Sequence, residues 1–179
     1  MYEAYRFARD NKLTLQNILK SHRIATKHLL PESQRGVIRT GNMLIMEQQT
    51  QRIQYEAASS AIVKNEFEKL WDELNDLLKT KLNKEEVFYY AVFLHVVFVK
   101  VHPFNDGNGG TGSLLEKWFL SSMLGEKAWY IGSEYHFYKK FQSYHNNLAK
   151  IGLFYHELQY EKCLPFLLML PQALVINDK

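Results

Sequence analysis

Cysteine is almost missing from this chain: Cys163 is the only one in 179 residues. One thiol makes neither an internal disulfide nor a thiolate-rich zinc site, which excludes a disulfide scaffold and a zinc finger and leaves a reducing cytoplasm as the expected compartment. Proline is scarce as well, with four in all, and no stretch rich in glycine, serine or proline divides the sequence. Without a linker, an internal repeat or a low-complexity tract, residues 1–179 are expected to form a single domain, the size at which ~100–200 residues share one core. An excess of one charge is also lacking, since 22 Lys+Arg face 19 Asp+Glu for a net +3. With 46% hydrophobic and 14% aromatic residues, the composition excludes intrinsic disorder. Residues 1–40 hold eight Lys/Arg against three Asp/Glu, but scattered, so a solvated helix face is expected there and no nucleic-acid partner. No apolar run reaches the ~20 residues of a membrane span. The two candidates, 87–101 and 164–176, are short, and the second contains Pro165 and Pro171. The first twelve residues carry Arg6, Arg9, Asp10 and Lys12, so neither a signal peptide nor an anchor is expected there.

What is present is helical periodicity. From the N-cap residue Thr14, the apolar positions Leu15, Ile18, Leu19, Ile24 and Ala25 predict a first core helix. Ile62 to Leu78 reads as an amphipathic helix, with Phe67, Leu70, Trp71 and Leu74 on one stripe and acidic residues opposite. Val87 to Val101 is apolar nearly all round, the mark of a helix buried on most sides. Leu114, Leu115, Trp118, Phe119 and Met123 predict another helix, with Gly125 as its C-terminal cap. Two more are expected near 134–150 and 163–175. The strand-like pieces are Val37-Ile38, Met43–Met46 and Arg52–Tyr55, set off by Thr40-Gly41-Asn42 and by the polar Gln48–Gln51, which suggests a hairpin. The expected class is all-α with one small β-hairpin.

The informative stretch is VHPFNDGNGGTG, residues 101–112. Pro103 ends the preceding helix and predicts an extended His102, so the imidazole is offered from a loop edge. Phe104 is suited to anchor the loop in the core. Gly107, Gly109 and Gly110 let backbone N–H groups converge where the next helix starts, which makes an anion pocket suited to phosphate. Asp106 beside it would repel a bare phosphate but suits a Mg²⁺ ion shared with a polyphosphate, such as a nucleoside triphosphate.

Residues 102–110 resemble the signature of the Fic family (filamentation induced by cAMP), His-x-Phe-x-Asp/Glu-Gly-Asn-Gly-Arg, often with a second arginine three residues on. His102, Phe104, Asp106, Gly107, Asn108 and Gly109 match position by position. Leu94-His95, Phe98, Val101 and Leu114-Leu115 extend the likeness, and Arg39-Thr40-Gly41-Asn42 falls where the family carries a target-aligning flap. The resemblance implies a Fic-type helical domain with a small β-hairpin flap, covering about 14–170. It implies protein adenylyltransferase activity: AMP passes from ATP to a Ser, Thr or Tyr hydroxyl of a target protein, with Mg²⁺ as cofactor. His102 would be the catalytic base and Asp106 the metal ligand. Phe104, Gly107, Asn108, Gly109, Gly110 and Tyr144 would meet the nucleotide, and residues 37–46 would align the target as an added strand.

Two positions depart from the signature: Gly110 and Ser113 stand where the family carries arginines. Without those guanidinium groups the grip on the leaving phosphates is weakened, by as much as ~10³–10⁵ in rate when an arginine finger is the model. Lys117 is too far along the helix to substitute, and Arg35 or Arg39 from the flap side are better placed. A non-catalytic Fic-like module that binds a nucleotide or a protein is therefore the alternative. The family's inhibitory motif, Ser/Thr-x-x-x-Glu-Gly/Asn, has no full match, and Ser122 to Glu126 reads as an ordinary helix end. Among the remaining candidates, His95 reads as a hydrogen-bonded core histidine, while His136, His145 and His156 show no metal-ligand spacing. Tyr144 and Asn147 resemble family positions near the adenine pocket, with helix packing an equal reading for Tyr144. Trp129, Tyr130, Tyr135, Phe137, Tyr138 and Phe141 read most simply as core.

Overall fold

The computed structural model describes residues 1–46 and 52–174. The expected polar turn at Gln48–Gln51, and the end of the last helix at residue 175, lie outside the described residues. The chain opens with helix α1 (Tyr2–Arg9), then α2 (Leu15–Ala25), whose N-cap Thr14 accepts a hydrogen bond from the Asn17 N–H as its residue type predicts. Strands β1 (Leu44–Met46) and β2 (Ile53–Glu56) follow, then α3 (Val63–Leu77) and α4 (Lys84–Val101). A full capping box starts α4: Asn83 accepts from the Glu86 N–H, and the Glu86 carboxylate accepts from the Asn83 N–H. Helix α5 (Asn108–Leu124) ends at Gly125, whose φ of +88° only glycine adopts freely. After α5 come α6 (Ser133–Lys139), α7 (Phe141–Ile151), α8 (Leu164–Leu167) and α9 (Met169–Leu174).

Helices α4 and α5 pack along one another at the centre, joined by residues 102–107. Val92, Val96, Phe98 and Val101 of α4 and Leu115, Phe119 and Leu120 of α5 are fully buried, which accounts for sequences apolar around most of their circumference. The hairpin β1–β2 is antiparallel, pairing Leu44 with Glu56 and Ile45 with Tyr55. Its far end is tied to the turn after α7, where the Glu56 N–H donates to the Leu153 carbonyl.

Several expectations need correction. Val37-Ile38 is no strand, and Thr40-Gly41-Asn42 does not close the hairpin; the N–H of Arg39 instead donates to the Pro103 carbonyl, which ties this segment to the loop. Residues 134–150 form two helices, because Lys140 leaves helical geometry at φ −105°, ψ +34°. Residues 164–174 likewise divide into two short ones at Leu168. The aromatic cluster is not one core: Phe137 is buried, but Tyr130, Tyr135, Tyr138 and Phe141 are exposed.

Candidate functional site

Phe104 is the anchor of the 102–107 loop. Its fully buried ring stacks on His22 of α2 at 3.8 Å between centroids and meets Phe67 of α3 and Phe98 of α4 at 6.0 and 6.1 Å. A ring so enclosed fixes where its neighbours in the chain emerge. The Phe104 N–H donates to the Asn108 side-chain oxygen at 3.0 Å, and the Asn108 amide donates back to the Phe104 carbonyl at 2.8 Å. The Asn108 side chain, expected to face a phosphate, is thus turned inward and closes the loop upon itself.

His22 holds the loop from below. Its Nδ1 accepts the Gly36 N–H at 2.8 Å, so Nε2 carries the hydrogen and donates to the Asp106 carbonyl at 2.9 Å. Burial pushes this imidazole below its ordinary pKa, which suits a neutral ring using both nitrogens. Gly107, with φ +75°, passes so near α2 that a Cβ would stand 2.7 Å from the Thr26 methyl. Its N–H is held by the Asp106 carboxylate Oδ1 at 2.6 Å. Of the glycine N–H groups expected to converge, this one is therefore already engaged. Helix α5 makes its first intrahelical bond from the Thr111 N–H to the Gly107 carbonyl, which leaves the N–H groups of residues 108–110 without helical acceptors.

His102 caps α4 in left-handed geometry, φ +53° and ψ +60°, not in the extended form expected before proline. Arg39 compensates the conformation. Its buried guanidinium donates to the His102 carbonyl at 2.7 Å and to that of Val101 at 3.2 Å, and also to the carbonyls of Gly41 and Ala58. It satisfies the open C-terminus of α4 and is not free to grip a phosphate, contrary to expectation. Arg35 donates to the Leu30 carbonyl at 2.7 Å. Lys117 is buried against the Tyr5 ring, 3.9 Å from the Glu134 carboxylate.

The His102 imidazole has a defined tautomer. Nδ1 stands 3.2 Å from the Val99 carbonyl, which can only accept, so Nδ1 carries the hydrogen; the Tyr55 oxygen is a further 3.2 Å neighbour. Tyr55 in turn donates its own hydroxyl to the Val99 carbonyl at 3.0 Å. Burial pushes the imidazole pKa down to about 4, opposed by the Val99 bond and reinforced by Arg39. At neutral pH the ring is therefore uncharged, with an Nε2 lone pair that has no partner among the described residues.

His102 borders a cleft of about 490 Å³. Ile45 of β1, Tyr55 of β2, Gly109, Gly110 and Ser113 of α5, Glu134 of α6, and Phe141 and Tyr144 of α7 share its walls. The structure therefore brings together His102, Gly109, Gly110 and Tyr144 of the expected set. Phe104 and Asn108 stand behind the loop, and Asp106 is exposed on its outer edge. No cluster of three or more His, Cys, Asp or Glu able to hold a metal occurs among the described residues. A single carboxylate fits an ion held mainly by phosphates and water, and does not fit a metal caged by protein alone. His95 is, as expected, a buried hydrogen-bonded residue, facing Glu116 at 3.0 Å and the Tyr144 hydroxyl at 2.9 Å. No described helix is long and apolar enough to cross a membrane.

Sequence reasoning missed His22 and the structural use of Arg39. His22 sits in an ordinary amphipathic pattern, and nothing local marks it as a partner of a residue 84 positions away.

Comparison with known proteins gives a consistent result. The sequence model of the Fic/DOC family matches residues 12–120. No curated protein is matched by sequence. Among solved structures, the fold is similar to that of a Fic family protein from Desulfovibrio desulfuricans, with TM-score 0.69 and 19% identity over 99% of this chain and 52% of that one. A Fic domain-containing signaling protein from Bacteroides thetaiotaomicron gives TM-score 0.68 and 20% identity, over 96% of this chain and 63% of the other. The BepC protein of Bartonella tribocorum, a VirB-translocated effector with bound AMPPNP, gives 0.52 and 13%, over 89% and 83%. The chain spans between half and two thirds of the length of the first two.

Proposed function

On the premise that this chain belongs to the Fic/DOC family, we propose that it is a Fic-type nucleotidyltransferase moving AMP from ATP to a hydroxyl of a target protein. The observation that carries the reading is the neutral His102, with Nδ1–H committed to the Val99 carbonyl and Nε2 open beside the start of α5. In the reaction the target hydroxyl oxygen forms a bond to the α-phosphorus, and the bond from that phosphorus to the bridging oxygen breaks. Pyrophosphate leaves, and Nε2 takes the hydroxyl proton. The free N–H groups at residues 109 and 110 offer donors to the transferred phosphate. Asp106, with its carboxylate at the rim of the loop, is the residue that would hold Mg²⁺, which supplies charge neutralisation of the phosphates when bound. The hairpin edge at Ile45, which lines the same cleft, would align the target segment.

Gly110 and Ser113 leave the leaving group without its guanidinium partners, and Glu134 lines the same wall, so the reaction is slow. The same observation supports the second reading, a module that binds nucleotide or protein without turnover. Incubation with α-labelled ATP and Mg²⁺ separates them. Covalent label on the chain or an added target, lost in His102→Ala, supports transfer. Reversible ATP binding without label leaves the binding module.

A further inference from the structure

Exposed lysines on and just after α3 stand beside carboxylates: Lys64 by Glu68 at 3.8 Å, Lys69 by Glu66 at 2.7 Å and Lys79 by Asp76 at 3.4 Å. The face formed by α6, α7, α9 and the turn before α6 is different. There Lys127, Lys139, Lys140 and Lys150 are all exposed, and none has an ion-pair partner among the described residues. They border two adjoining hollows. One, of about 470 Å³, has Lys127, Tyr130, Tyr135 and Lys139 in its walls; the other, of about 410 Å³, has Lys140, Ser143, Asn146 and Lys150. His136 and Gln172 line both, and the enclosed Nε2 of His136 has no hydrogen-bond partner among the described residues. No described Asp or Glu lines either hollow. The acids of this stretch belong elsewhere, Glu126 to a separate hollow beside α1 and Glu134 to the cleft of His102.

Four ammonium groups gathered without a counter-charge repel one another, and an anionic partner relieves the repulsion. Two joined hollows exceed what one phosphate fills and suit a chain that presents acids at intervals. The bordering rings favour carboxylates over nucleotide bases. The Arg9 guanidinium lies 5.7 Å over Tyr130 and the Lys139 ammonium 5.4 Å over Tyr135, so each ring already holds a cation on one face and offers less surface for stacking. Helix α6 is shared with the cleft: Phe137 and Tyr138 line the cleft, while Tyr135 and Lys139 line the basic side. We propose that this face docks an acidic segment of a protein partner, and that the partner is the target whose hydroxyl enters the cleft across α6. The second clause rests on the transfer reading; the docking itself does not.

The test needs no nucleotide. Fluorescein-labelled deca-glutamate is titrated with the chain at low salt, and a labelled single-stranded oligothymidylate is titrated in parallel. The peptide should bind, and more weakly as added salt screens the charges. Lys139→Glu with Lys140→Glu should weaken binding at least about 10-fold. Lys64→Glu with Lys79→Glu, the same change in net charge placed at α3, should alter it less than about 2-fold. Melting curves establish that both pairs are folded, and if the first is not, Lys127→Glu with Lys150→Glu takes its place with the same expected loss. Equal losses in the two pairs reduce the contact to net charge and overturn the proposal, as does absence of peptide binding to the unaltered chain. Tighter binding of the oligothymidylate assigns the face to nucleic acid and also overturns it. Peptide binding without covalent label from ATP supports the docking face and defeats transfer. His102-dependent label on a target, with no peptide binding, supports transfer and defeats the docking face.

Discussion

Arg39 shows how one side chain fixes the backbone that presents His102 to the cleft. Four backbone carbonyls converge on its guanidinium, two of them at the end of α4, where helix geometry leaves acceptors without partners. His102 depends on that arrangement because its left-handed backbone is the single non-glycine positive φ among the described residues. Such a conformation costs about 1–3 kcal/mol and persists only where surroundings impose it. Arg39→Met removes every donor and leaves buried acceptors unpaired. It should destabilise the chain by about 3 kcal/mol in urea unfolding, and it should reduce any His102-dependent labelling more than it reduces nucleotide affinity. Arg39→Lys should recover only part of the stability, because an ammonium cannot span carbonyls arranged for a planar fork. Gly107→Ala is the complementary test on the other side of the loop. Its φ of +75° and a Cβ 2.7 Å from the Thr26 methyl predict a fall in melting temperature with no gain in any assay.

At the scale of elements, the proposed reading turns on the first turn of α5, where the phosphates would be held. Restoring both missing cations, Gly110→Arg with Ser113→Arg, should raise ATP-dependent labelling at least about 10²-fold, and adding His102→Ala should remove the gain. The space exists, although a Cβ at 110 would lie 3.0 Å from the Met1 methyl, the flexible end of a side chain that can turn aside. Labelling no better than in the unaltered chain would favour the binding module. The elements legible in the sequence were those whose signals are local: Thr14 as a cap, the stripe of α3, the apolar girth of α4, the glycine that ends α5. Helix α1 escaped because its buried positions are only Ala4 and Ala8, too small to stand out as a stripe. The hairpin was visible as β-prone pieces, but its partners were not, since Val37-Ile38 is as β-branched as a strand and is instead drawn to the loop through Arg39. In the site, His102 and Phe104 could be placed from Pro103 and the glycines. The inward turn of Asn108 and the support from His22 could not, because both are set by contacts that only the folded chain creates.

Across the whole molecule, α2 and the hairpin each meet the 102–107 loop through an imidazole, His22 at the Asp106 carbonyl and His102 beside Tyr55. His22 and His102 both have pKa values lowered chiefly by burial, His102 to about 4. In the unfolded chain both titrate near ~6.5. Between those limits the unfolded state binds more protons than the folded one, so stability rises with pH there. The stabilising contribution is complete above ~6.5 and is lost as pH falls toward 4. For His102 alone the span corresponds to roughly 3 kcal/mol, at about 1.4 kcal/mol per pH unit. Urea midpoints measured from pH 7.5 to 4 should therefore decline steeply below 6.5, and the slope should lessen in His102→Asn and in His22→Asn. A constant offset from the lost hydrogen bonds does not affect the slope, so folding defects and titration separate. Equal slopes in the unaltered chain and both variants would show that these rings do not govern acid stability and that their burial is less complete in solution.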